Sequence, residues 1–326
     1  MDKPIFILGC TKSGTTLMRN LFDGHPDLFV IPFESHFFQN TGRGIDYSYR
    51  RTMPKKLSFD QKKGGLLDWI RSSNSKAVPI ADGFTVGKFN VPVAEKYLRG
   101  AQVSSERELS DAYTNTIHVA TRGTEVPAGK DFVEKSVENA EMCAVWQKLY
   151  PNARFVHILR NPYSNLVAMR KYGAYNREGK YPRLQNAMQA MNNSYYWLYR
   201  NMKDQDNYHV VIYDELISDV ENVMKNLCSK LELSYNETLT YPTHFGEAWS
   251  GNSTSKTSYS KVSSKNVSAW KKDITPNEVD LVNRYFGHVI TDFGFEKMTP
   301  QGSVLKRGPR ERPEIWLYNR MLRYFI

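Results

Sequence analysis

The feature that most constrains this chain is the segment from residue 4 to residue 20, near its amino end. Residues 5–8 are apolar, which predicts a short buried strand, and residues 16–22 have the pattern of a helix. Between them lies a turn of small and hydroxyl residues in which Gly9 and Gly14 flank four others. A glycine turn that leads into a helix directs unpaired N–H groups at an anion. The segment therefore predicts a phosphate-binding loop.

The position of the loop's cation narrows the chemistry. In the phosphate loop of nucleotide-binding enzymes a Lys directly follows the second Gly, whereas here Thr15 stands there and Lys12 lies inside the turn. A kinase loop holds a polyphosphate with Mg²⁺ and needs a downstream carboxylate for the metal. A sulfuryl group carries less charge, so one Lys and several N–H donors can neutralise its transfer without a metal. The loop favours sulfuryl transfer, and a nucleotide kinase with an unusual loop is the alternative.

Short apolar runs alternate with helical patterns along most of the chain, which predicts an α/β fold with a central parallel sheet flanked by helices. Ligands of such sheets bind beyond the carboxyl ends of the strands. The predicted strands cover residues 5–8, 28–31, 132–134, 155–159 and 210–213. The predicted helices cover residues 16–22, 140–149, 163–171, 184–202 and 220–231.

Three segments depart from this alternation. Residues 37–130 contain pairs of basic residues and predict a largely helical insertion that roofs the site and recognises the acceptor, although a solvated basic surface is the alternative for any single pair. Residues 246–268 form a polar run too long for an ordinary connector. We predict one domain over residues 1–300, followed by a basic aromatic tail over residues 301–326. That tail is a candidate for contact with a second subunit of a homodimer or with a membrane surface.

Composition limits the class of protein. The net charge is +10, from 44 Lys and Arg against 34 Asp and Glu, which favours anionic ligands. No compact nucleic-acid motif is present, so a nucleotide is a better candidate than a nucleic acid. The three cysteines lie far apart and suggest neither a disulfide framework nor a metal cluster. No apolar stretch approaches the roughly 18 residues of a membrane span, and a core strand begins too early for a signal peptide, so the sequence predicts a soluble cytoplasmic protein.

Two motifs resemble those of sulfotransferases that use 3′-phosphoadenosine 5′-phosphosulfate (PAPS). Their sulfate-end loops read Pro-Lys-Ser-Gly-Thr-Thr or Thr-Arg-Ser-Gly-Thr-Thr, and here Thr11 replaces the Pro. The second motif is Arg160, which ends the fourth predicted strand before Asn161 and Pro162. The resemblance spans residues 4–38 and 131–275, and is closer to the carbohydrate and tyrosylprotein types than to the cytosolic phenol type. It implies the P-loop sulfotransferase fold, with the sulfate end of the donor held by Lys12, Ser13, Gly14, Thr15 and Thr16.

The resemblance also implies residues for the rest of the donor. Arg160 would grip its 3′-phosphate through a bidentate guanidinium. The family has a Ser eight residues after this Arg, but this chain has Ala168, and Ser164 one turn earlier on the same face is a substitute. Tyr213 resembles a strand-end Tyr that lies near the adenine, although aromatic strand residues are often only core. The late basic loop implies that Lys271 and Lys272 cover the 3′-phosphate.

Three further residues are candidates for the chemistry. Glu34 follows the second predicted strand among aromatic residues, where partial desolvation would raise its basicity, and it resembles the family's general base. A carboxylate that caps a short helix is the alternative, and His36 is the second candidate for the base. Lys135 resembles a strand-end Lys that offsets charge as the leaving phosphate departs, a surface Lys being the alternative. Ser253 resembles a loop Ser that donates to the transition state in tyrosylprotein sulfotransferases.

The sequence therefore predicts a sulfotransferase that moves a sulfuryl group from PAPS to a hydroxyl or amine by in-line, metal-independent transfer. The product of the donor would be 3′,5′-adenosine bisphosphate. The acceptor is left open among sugars, lipids, peptides and small metabolites. The alternatives are a nucleotide kinase and a non-catalytic nucleotide-binding protein.

Overall fold

A parallel sheet is the centre of the fold. The computed structural model describes residues 1–47, 50–75, 87–172, 184–249, 251, 262 and 267–302. Within these residues the main sheet has five strands in the order β2-β3-β1-β4-β5, and every neighbouring pair is parallel. All five carboxyl ends therefore lie at one edge. The strands are β1 (Ile5–Gly9), β2 (Leu28–Val30), β3 (Asp131–Lys135), β4 (Arg154–Leu159) and β5 (Tyr208–Ile212).

Helices connect the strands and occupy the insertion. The crossovers are formed by α1 (Thr15–Phe22), α6 (Cys143–Leu149), α7 (Pro162–Arg170) and α8 (Leu184–Asp204). Between β2 and β3 lie α2 (Phe37–Asn40), α3 (Phe59–Ser73), α4 (Val91–Gly100) and α5 (Glu106–Arg122). After β5 come α9 (Tyr213–Ser218), α10 (Val220–Lys230) and a small antiparallel pair, β6 (Thr243–His244) with β7 (Glu247–Ala248). The predicted helical character of residues 37–130 thus agrees with the helices found there.

Apolar side chains cover both faces of the sheet, because successive residues of a strand point to opposite sides. Ile5 and Ile7 belong to one buried cluster that also contains Met18 of α1 and Leu227 of α10. Phe6 points the other way and stacks on the ring of Trp146 in α6, with 4.4 Å between ring centres. Each such side chain contributes roughly 1.5–3 kcal/mol when it leaves water. The predicted α/β fold with a central parallel sheet flanked by helices is confirmed.

The structure corrects the end of one predicted strand. Residues 210–213 were expected to be extended through Tyr213, but β5 ends at Ile212 and Tyr213 is the first residue of α9. Asp214 and Glu215 lie in the first turn of that helix. Acidic side chains there interact favourably with the positive end of the helix dipole, which favours the start of a helix at Tyr213.

The chain divides into two compact units, Met1–Lys272 and Asp273–Ile326. The described part of the second unit contains α11 (Pro276–Asp292), which begins with a capping box between Thr275 and Glu278. The predicted tail lies outside the described residues from residue 303 onward. In the described ranges, no helix combines the length and the apolar character that crossing a membrane requires.

Candidate active site

The loop between β1 and α1 forms an anion cradle at the carboxyl edge of the sheet. Gly14 is the amino-terminal cap of α1 and has a φ of 110°, and Lys12 has a φ of 65°. Because Gly14 has no side chain to accept them, the N–H groups of the first helical turn remain available to a ligand at this edge. Thr15 and Thr16 begin the helix and are almost fully buried. This geometry agrees with the phosphate-binding loop that the sequence predicts.

Only glycine fits at position 14. A Cβ there would lie 2.3 Å from Cδ2 of Tyr213, and a φ of 110° strains any other L-residue. The ring of Tyr213 therefore packs directly on the loop. The guanidinium carbon of Arg160 lies 4.8 Å from the centre of the same ring, within the range of a cation–π contact. The structure thus brings Gly14, Tyr213 and Arg160 together, as the sequence predicts.

Hydrogen bonds from neighbouring elements fix the backbone of the loop. Arg160 Nη1 donates to the carbonyl of Lys12 over 3.0 Å, and Asn165 Nδ2 donates to the carbonyl of Thr11 over 2.9 Å. The N–H of Thr11 donates to the hydroxyl of Tyr47 over 2.9 Å. Sequence reasoning missed Asn165 and Tyr47. The signal for Asn165 was its place in the first turn after the Arg160 motif, and Tyr47 carried none.

Arg160 also contacts the predicted substitute Ser164. Its Nε donates to Ser164 Oγ over 2.8 Å, and Arg160 precedes α7 by two residues whereas Ser164 lies in its first turn. Asn161 caps this helix by accepting from the N–H groups of Tyr163 and Ser164. Burial raises the pKa of the nearby Asp214 carboxyl, and the charge of Arg160 only partly offsets that increase. The positive end of the α7 dipole and the Arg160 guanidinium both lie beside the cradle. Together they favour the binding of a second anionic group there.

Ser13 plays a different part from its neighbours in the loop. It is fully buried, and its Oγ has no hydrogen-bond partner among the described residues. A Cβ added at Gly9 would come within 2.7 Å of that oxygen, so the side chain lies beneath the loop against β1. Its N–H donates to the carbonyl of Cys10 over 3.0 Å. Ser13 thereby shapes the turn from below.

Glu34 lies four residues after β2 and forms contacts with three basic side chains. Its Oε1 accepts from Lys135 Nζ at the end of β3, and its Oε2 accepts from Arg50 Nη2. His36 Nε2 lies 3.3 Å from the same Oε2. Only 14% of the Glu34 side chain is exposed, so these are contacts of a largely desolvated carboxylate.

A second carboxylate, Glu138, completes this group. Its Oε1 pairs with His36 Nδ1, and its Oε2 accepts from Arg50 Nη1 over 2.8 Å. The Glu138 side chain is only 2% exposed. His36 and Arg50 thus each bridge the two carboxylates. We call Glu34, His36, Arg50, Lys135 and Glu138 the Glu34 network.

The network determines the ionisation of both carboxylates. Burial raises the pKa of Glu34, but the charges of Arg50, Lys135 and His36 together lower it well below the ordinary carboxyl value. Burial likewise raises the pKa of Glu138, and the charges of His36 and Arg50 lower it to about 2. The expectation that desolvation makes Glu34 more basic is therefore wrong for this arrangement, because ion pairing outweighs it.

The backbone around Glu34 is held independently of its side chain. Its carbonyl accepts from Trp69 Nε1 of α3 over 2.8 Å. Ser35 donates to Glu134 Oε1 through its N–H, over 3.1 Å, and through its hydroxyl, over 2.8 Å. His36 is the cap of α2 with a φ of 46° and makes no capping hydrogen bond through its side chain, and the N–H of Phe37 donates to Ser35 Oγ over 3.3 Å instead. The alternative that Glu34 serves as a helix cap is therefore wrong.

Comparison with known proteins identifies the family. The sequence model described as the Sulfotransferase family matches residues 4–237, which is most of the chain. The chain belongs to the Sulfotransferase family. Its activity is therefore of the type that transfers a sulfuryl group, as the two sequence motifs indicate.

Named relatives agree with this assignment. Sulfotransferases from Mycobacterium bovis and Mycobacterium tuberculosis, both named omega-hydroxy-beta-dihydromenaquinone-9 sulfotransferase Stf3, are 23% identical over 326 residues, covering 94% of this chain and 78% of theirs. The sulfotransferase domain of the curacin biosynthetic pathway superposes with a TM-score of 0.58 at 18% identity, covering 91% of this chain and 99% of that domain. The sulfotransferase domain of a Synechococcus olefin synthase gives 0.55 at 16% identity, covering 90% and 95%. These structures share the fold.

The late basic segment of this sulfotransferase packs against α7. Trp270 lies in a short 3-10 helix, Ala269–Lys272, and its ring stacks on that of Tyr163 with 6.0 Å between centres and 9° between planes. Tyr163 is adjacent in sequence to Ser164, so the short helix that contains Lys271 and Lys272 packs on the element that carries the Arg160 contact. Both lysines are exposed. The predicted Ser253 lies outside the described residues.

Sequence reasoning missed two of the five residues of the Glu34 network, Arg50 and Glu138. Arg50 belongs to a basic pair for which an exposed surface was an equal alternative, and its neighbour Arg51 is indeed 65% exposed and pairs with Asp46. Glu138 follows Lys135 by three residues, and that proximity was its only signal.

Proposed function

We propose that this sulfotransferase transfers the sulfuryl group of PAPS to a hydroxyl or amine acceptor, with Glu34 as the general base. One observation carries the proposal. The anion cradle follows β1, Lys135 ends the neighbouring strand β3, and Arg160 follows the other neighbour, β4. Adjacent strands lie roughly 4.8 Å apart, so one carboxyl edge combines a cradle, two flanking cations and an ionised carboxylate.

The described residues fit this donor. The glycine cap at position 14 leaves room and N–H groups for the sulfate end, with Lys12 as its cation. Arg160 and Ser164, at the positive end of α7, suit a second phosphate of the donor. Tyr213 would lie close to the adenine ring of the donor. Lys271, Lys272 and Ser253 remain predictions for the late loop. The donor supplies a sulfuryl group activated by a phosphate leaving group.

Lys135 links the base to the developing charge. At rest its ammonium pairs with Glu34 and stabilises the ionised carboxylate. As negative charge develops on the oxygens of the leaving phosphate, these oxygens attract the Lys135 ammonium. The ion pair between Lys135 and Glu34 then weakens. Loss of that partner raises the proton affinity of Glu34 at the moment when the acceptor's proton must leave. A carboxylate with a depressed pKa can serve as a base in this way.

The acceptor is inferred from chemistry rather than from contacts. The mycobacterial relatives are named for a hydroxyl on a dihydromenaquinone. We infer an alcohol acceptor here, with amines second. The insertion of residues 37–130 is proposed as its roof, because Trp69 of α3 donates to the carbonyl of Glu34 and α2 begins three residues after Glu34.

Donor binding and turnover test the proposal separately. Calorimetric titration should show that 3′,5′-adenosine bisphosphate binds more tightly than adenosine 5′-phosphate. Arg160→Lys should reduce that preference roughly tenfold or more, because a single ammonium cannot replace a bidentate guanidinium. Arg200→Lys, a change at an exposed arginine, is the matched control.

Turnover is measured with sulfur-labelled PAPS and a panel of alcohols and amines, with products identified by mass. Transfer that survives EDTA supports the proposal. Phosphate transfer from MgATP instead would indicate a kinase. Tight bisphosphate binding with no transfer to any acceptor would indicate a non-catalytic binder.

A further inference from the structure

We propose that residues 51–57, which we call the Met53 loop, dock on the surface of an anionic lipid bilayer. Three pairs of basic residues mark this part of the insertion in the sequence, and the structure gives only some of these charges a partner. The remaining charges lie beside an exposed apolar side chain. A surface of that composition fits a membrane, which offers negative headgroups next to an apolar interior.

The structure separates the six basic residues of positions 50–63 into two groups. Arg50 enters the Glu34 network, and Lys62 Nζ pairs with a carboxylate of α5 over 3.0 Å. Lys63 Nζ donates to a backbone carbonyl over 2.7 Å and lies 3.6 Å from Asp60, the one acidic residue of these positions. These three basic side chains are at most 15% exposed, so their charges are engaged within the protein.

The other three basic residues belong to the Met53 loop. Arg51 pairs with Asp46 at the surface, so that pair adds no net charge. Lys55 and Lys56 are both exposed, and neither ammonium contacts a carboxylate in the part of the chain that the structure describes. The loop therefore presents two unbalanced positive charges to the solvent.

Met53 supplies the apolar part of this surface. It is 76% exposed, against 46% for Met202 and 52% for Tyr241, the other large apolar residues that are exposed in the described ranges. The adjacent Pro54 is also exposed. Transfer of such a side chain from water into the apolar part of a bilayer is favourable. The most exposed large apolar side chain thus lies within three residues of the two unbalanced lysines.

The backbone on both sides of Met53 is fixed to the body of the protein. The backbones of Thr52 and Ile45 pair through two hydrogen bonds of 2.9 and 3.1 Å. The N–H of Lys55 donates to the carbonyl of Gly42 over 2.7 Å. The backbone path therefore holds Met53 at the surface, and a loop that is already ordered loses little conformational entropy when it docks.

The small size of this surface favours a bilayer over a protein as the partner. A stable protein interface buries about 800 Å² on each partner, whereas the Met53 loop offers one apolar side chain and two lysines. A bilayer needs no matching shape, because its headgroups and chains rearrange around an inserted side chain. Each lysine near an anionic surface strengthens binding roughly fivefold, and salt screens this attraction. Docking is therefore reversible and sensitive to salt.

Docking through this loop brings the candidate active site close to the bilayer. Arg50 directly precedes the loop and contacts both carboxylates of the Glu34 network. Three residues of chain, the separation of Arg50 from Met53, span at most about 11 Å. An alcohol whose apolar chain lies in the bilayer would thus be presented near Glu34, a step that rests on the proposed function. The acceptor class that docking favours is a long-chain alcohol.

A fluorescent probe at position 53 tests docking without donor, acceptor or turnover. Cys10, Cys143 and Cys228 are buried, so a polarity-sensitive thiol dye labels the full chain of Met53→Cys at that position. Its emission should shift to the blue with vesicles of phosphatidylcholine and phosphatidylglycerol, and much less with phosphatidylcholine alone. Met202→Cys, labelled in the same way at another exposed methionine, is the matched control and should show no shift.

Two results of this measurement would overturn the proposal. One is an emission from the probe at position 53 that does not change when the mixed vesicles are added. The other is a shift with polyglutamate but not with vesicles, which would indicate an acidic polypeptide as the partner.

Co-sedimentation with the same vesicles tests the charges. Lys55→Gln together with Lys56→Gln should weaken binding to the mixed vesicles roughly 25-fold, because two lysines at the surface are lost. Lys148→Gln together with Lys203→Gln removes the same charge from exposed positions elsewhere and should change binding far less. Equal weakening by the two double variants would refute docking through the Met53 loop, because net charge alone would then explain the binding.

Turnover tests the link between docking and the active site. Met53→Ser should lower sulfuryl transfer to a long-chain alcohol in mixed vesicles severalfold and leave transfer to a water-soluble alcohol unchanged. Unchanged transfer to both alcohols would refute the link. Should the unaltered enzyme transfer no sulfuryl group to any acceptor, the proposed function fails, and the vesicle measurements still decide whether the loop docks.

Discussion

Glu34 is a carboxylate on which burial and charge act in opposite directions. Desolvation alone would make it a stronger base, and that was the expectation from its aromatic neighbours in sequence. The structure adds two cations in direct contact, Arg50 and Lys135, and their charges dominate. In the function that we propose, Glu34 becomes active as a base when a cation leaves it. The timing of proton removal is then coupled to the movement of charge elsewhere in the site.

Removing Arg50 should make this coupling visible. In Arg50→Gln the pKa of Glu34 rises toward its ordinary value, because the largest of the charges that lower it is lost. Glu34 must be ionised to accept a proton, so the acid limb that it controls in kcat/KM should move to higher pH. The measurement is the pH profile of sulfuryl transfer with excess donor.

Arg51→Gln provides the matched control for this variant. Arg51 is the adjacent residue but is 65% exposed and pairs with Asp46 instead. Its replacement should leave the profile in place. An identical profile in Arg50→Gln would show that the guanidinium does not set the ionisation of Glu34 in solution.

Acid should destabilise the fold through Glu138. Its folded pKa of about 2 lies below the ordinary 4.5, so its contribution to stability is present above the higher value and is lost as the pH falls toward the lower one. The shift corresponds to roughly 3 kcal/mol. Urea unfolding at pH values from 7 to about 2.5 should show this loss, with a smaller loss in Glu138→Gln. Equal losses in both proteins would contradict it.

The residues that sequence reasoning found share one property. Lys135 ends a strand, and Glu34 and Arg160 follow strand ends, so the topology of a parallel sheet places them at one edge without further information. Arg50 and Glu138 reach the site through contacts that depend on the path of the insertion. No local pattern specifies such contacts, because the partners are separated by 16 to 102 residues in sequence.

The turn that joins β1 to α1 depends on Gly14. Gly14→Ala should weaken binding of 3′,5′-adenosine bisphosphate at least tenfold, because the added Cβ collides with the Tyr213 ring and opposes a φ of 110°. Gly64→Ala in α3 has no atom within 4 Å of the new Cβ and should stabilise the protein by roughly 0.5–1 kcal/mol. Calorimetric titration with the bisphosphate measures the binding by both variants, and thermal unfolding measures the stability of both. Normal nucleotide affinity in Gly14→Ala would contradict the cradle.

Strands and helices were predictable wherever hydrophobic spacing was the dominant signal. The five strands of the sheet lie where apolar runs placed them, since burial on both faces requires such runs. The exception is Tyr213, whose aromatic side chain suggested a strand although the acidic residues that follow start a helix. The segment Val137–Met142 is a 3-10 helix rather than the beginning of α6, a distinction that periodicity over so few residues cannot make.

The net charge of +10 should act on the rate of donor capture. Long-range attraction speeds the encounter of an anion with a cationic protein and is screened by salt. Stopped-flow association of a fluorescent 3′,5′-adenosine bisphosphate analogue should therefore slow severalfold when the ionic strength rises from about 0.02 M to about 0.5 M. Dissociation should change less. A rate that is independent of salt would show that the charge is not directed at the site.

Arg50 enters the Glu34 network from the insertion, just before Thr52, whose backbone pairs with that of Ile45. The segment proposed to select the acceptor therefore also carries one of the charges that lower the pKa of Glu34, the proposed base. Exchange of this segment between family members would transplant part of the catalytic apparatus along with the specificity. Grafted segments that keep an arginine at the position of Arg50 should give enzymes that stay active on new alcohols. Grafted segments that lack this arginine should give enzymes that bind the new alcohols but turn them over poorly.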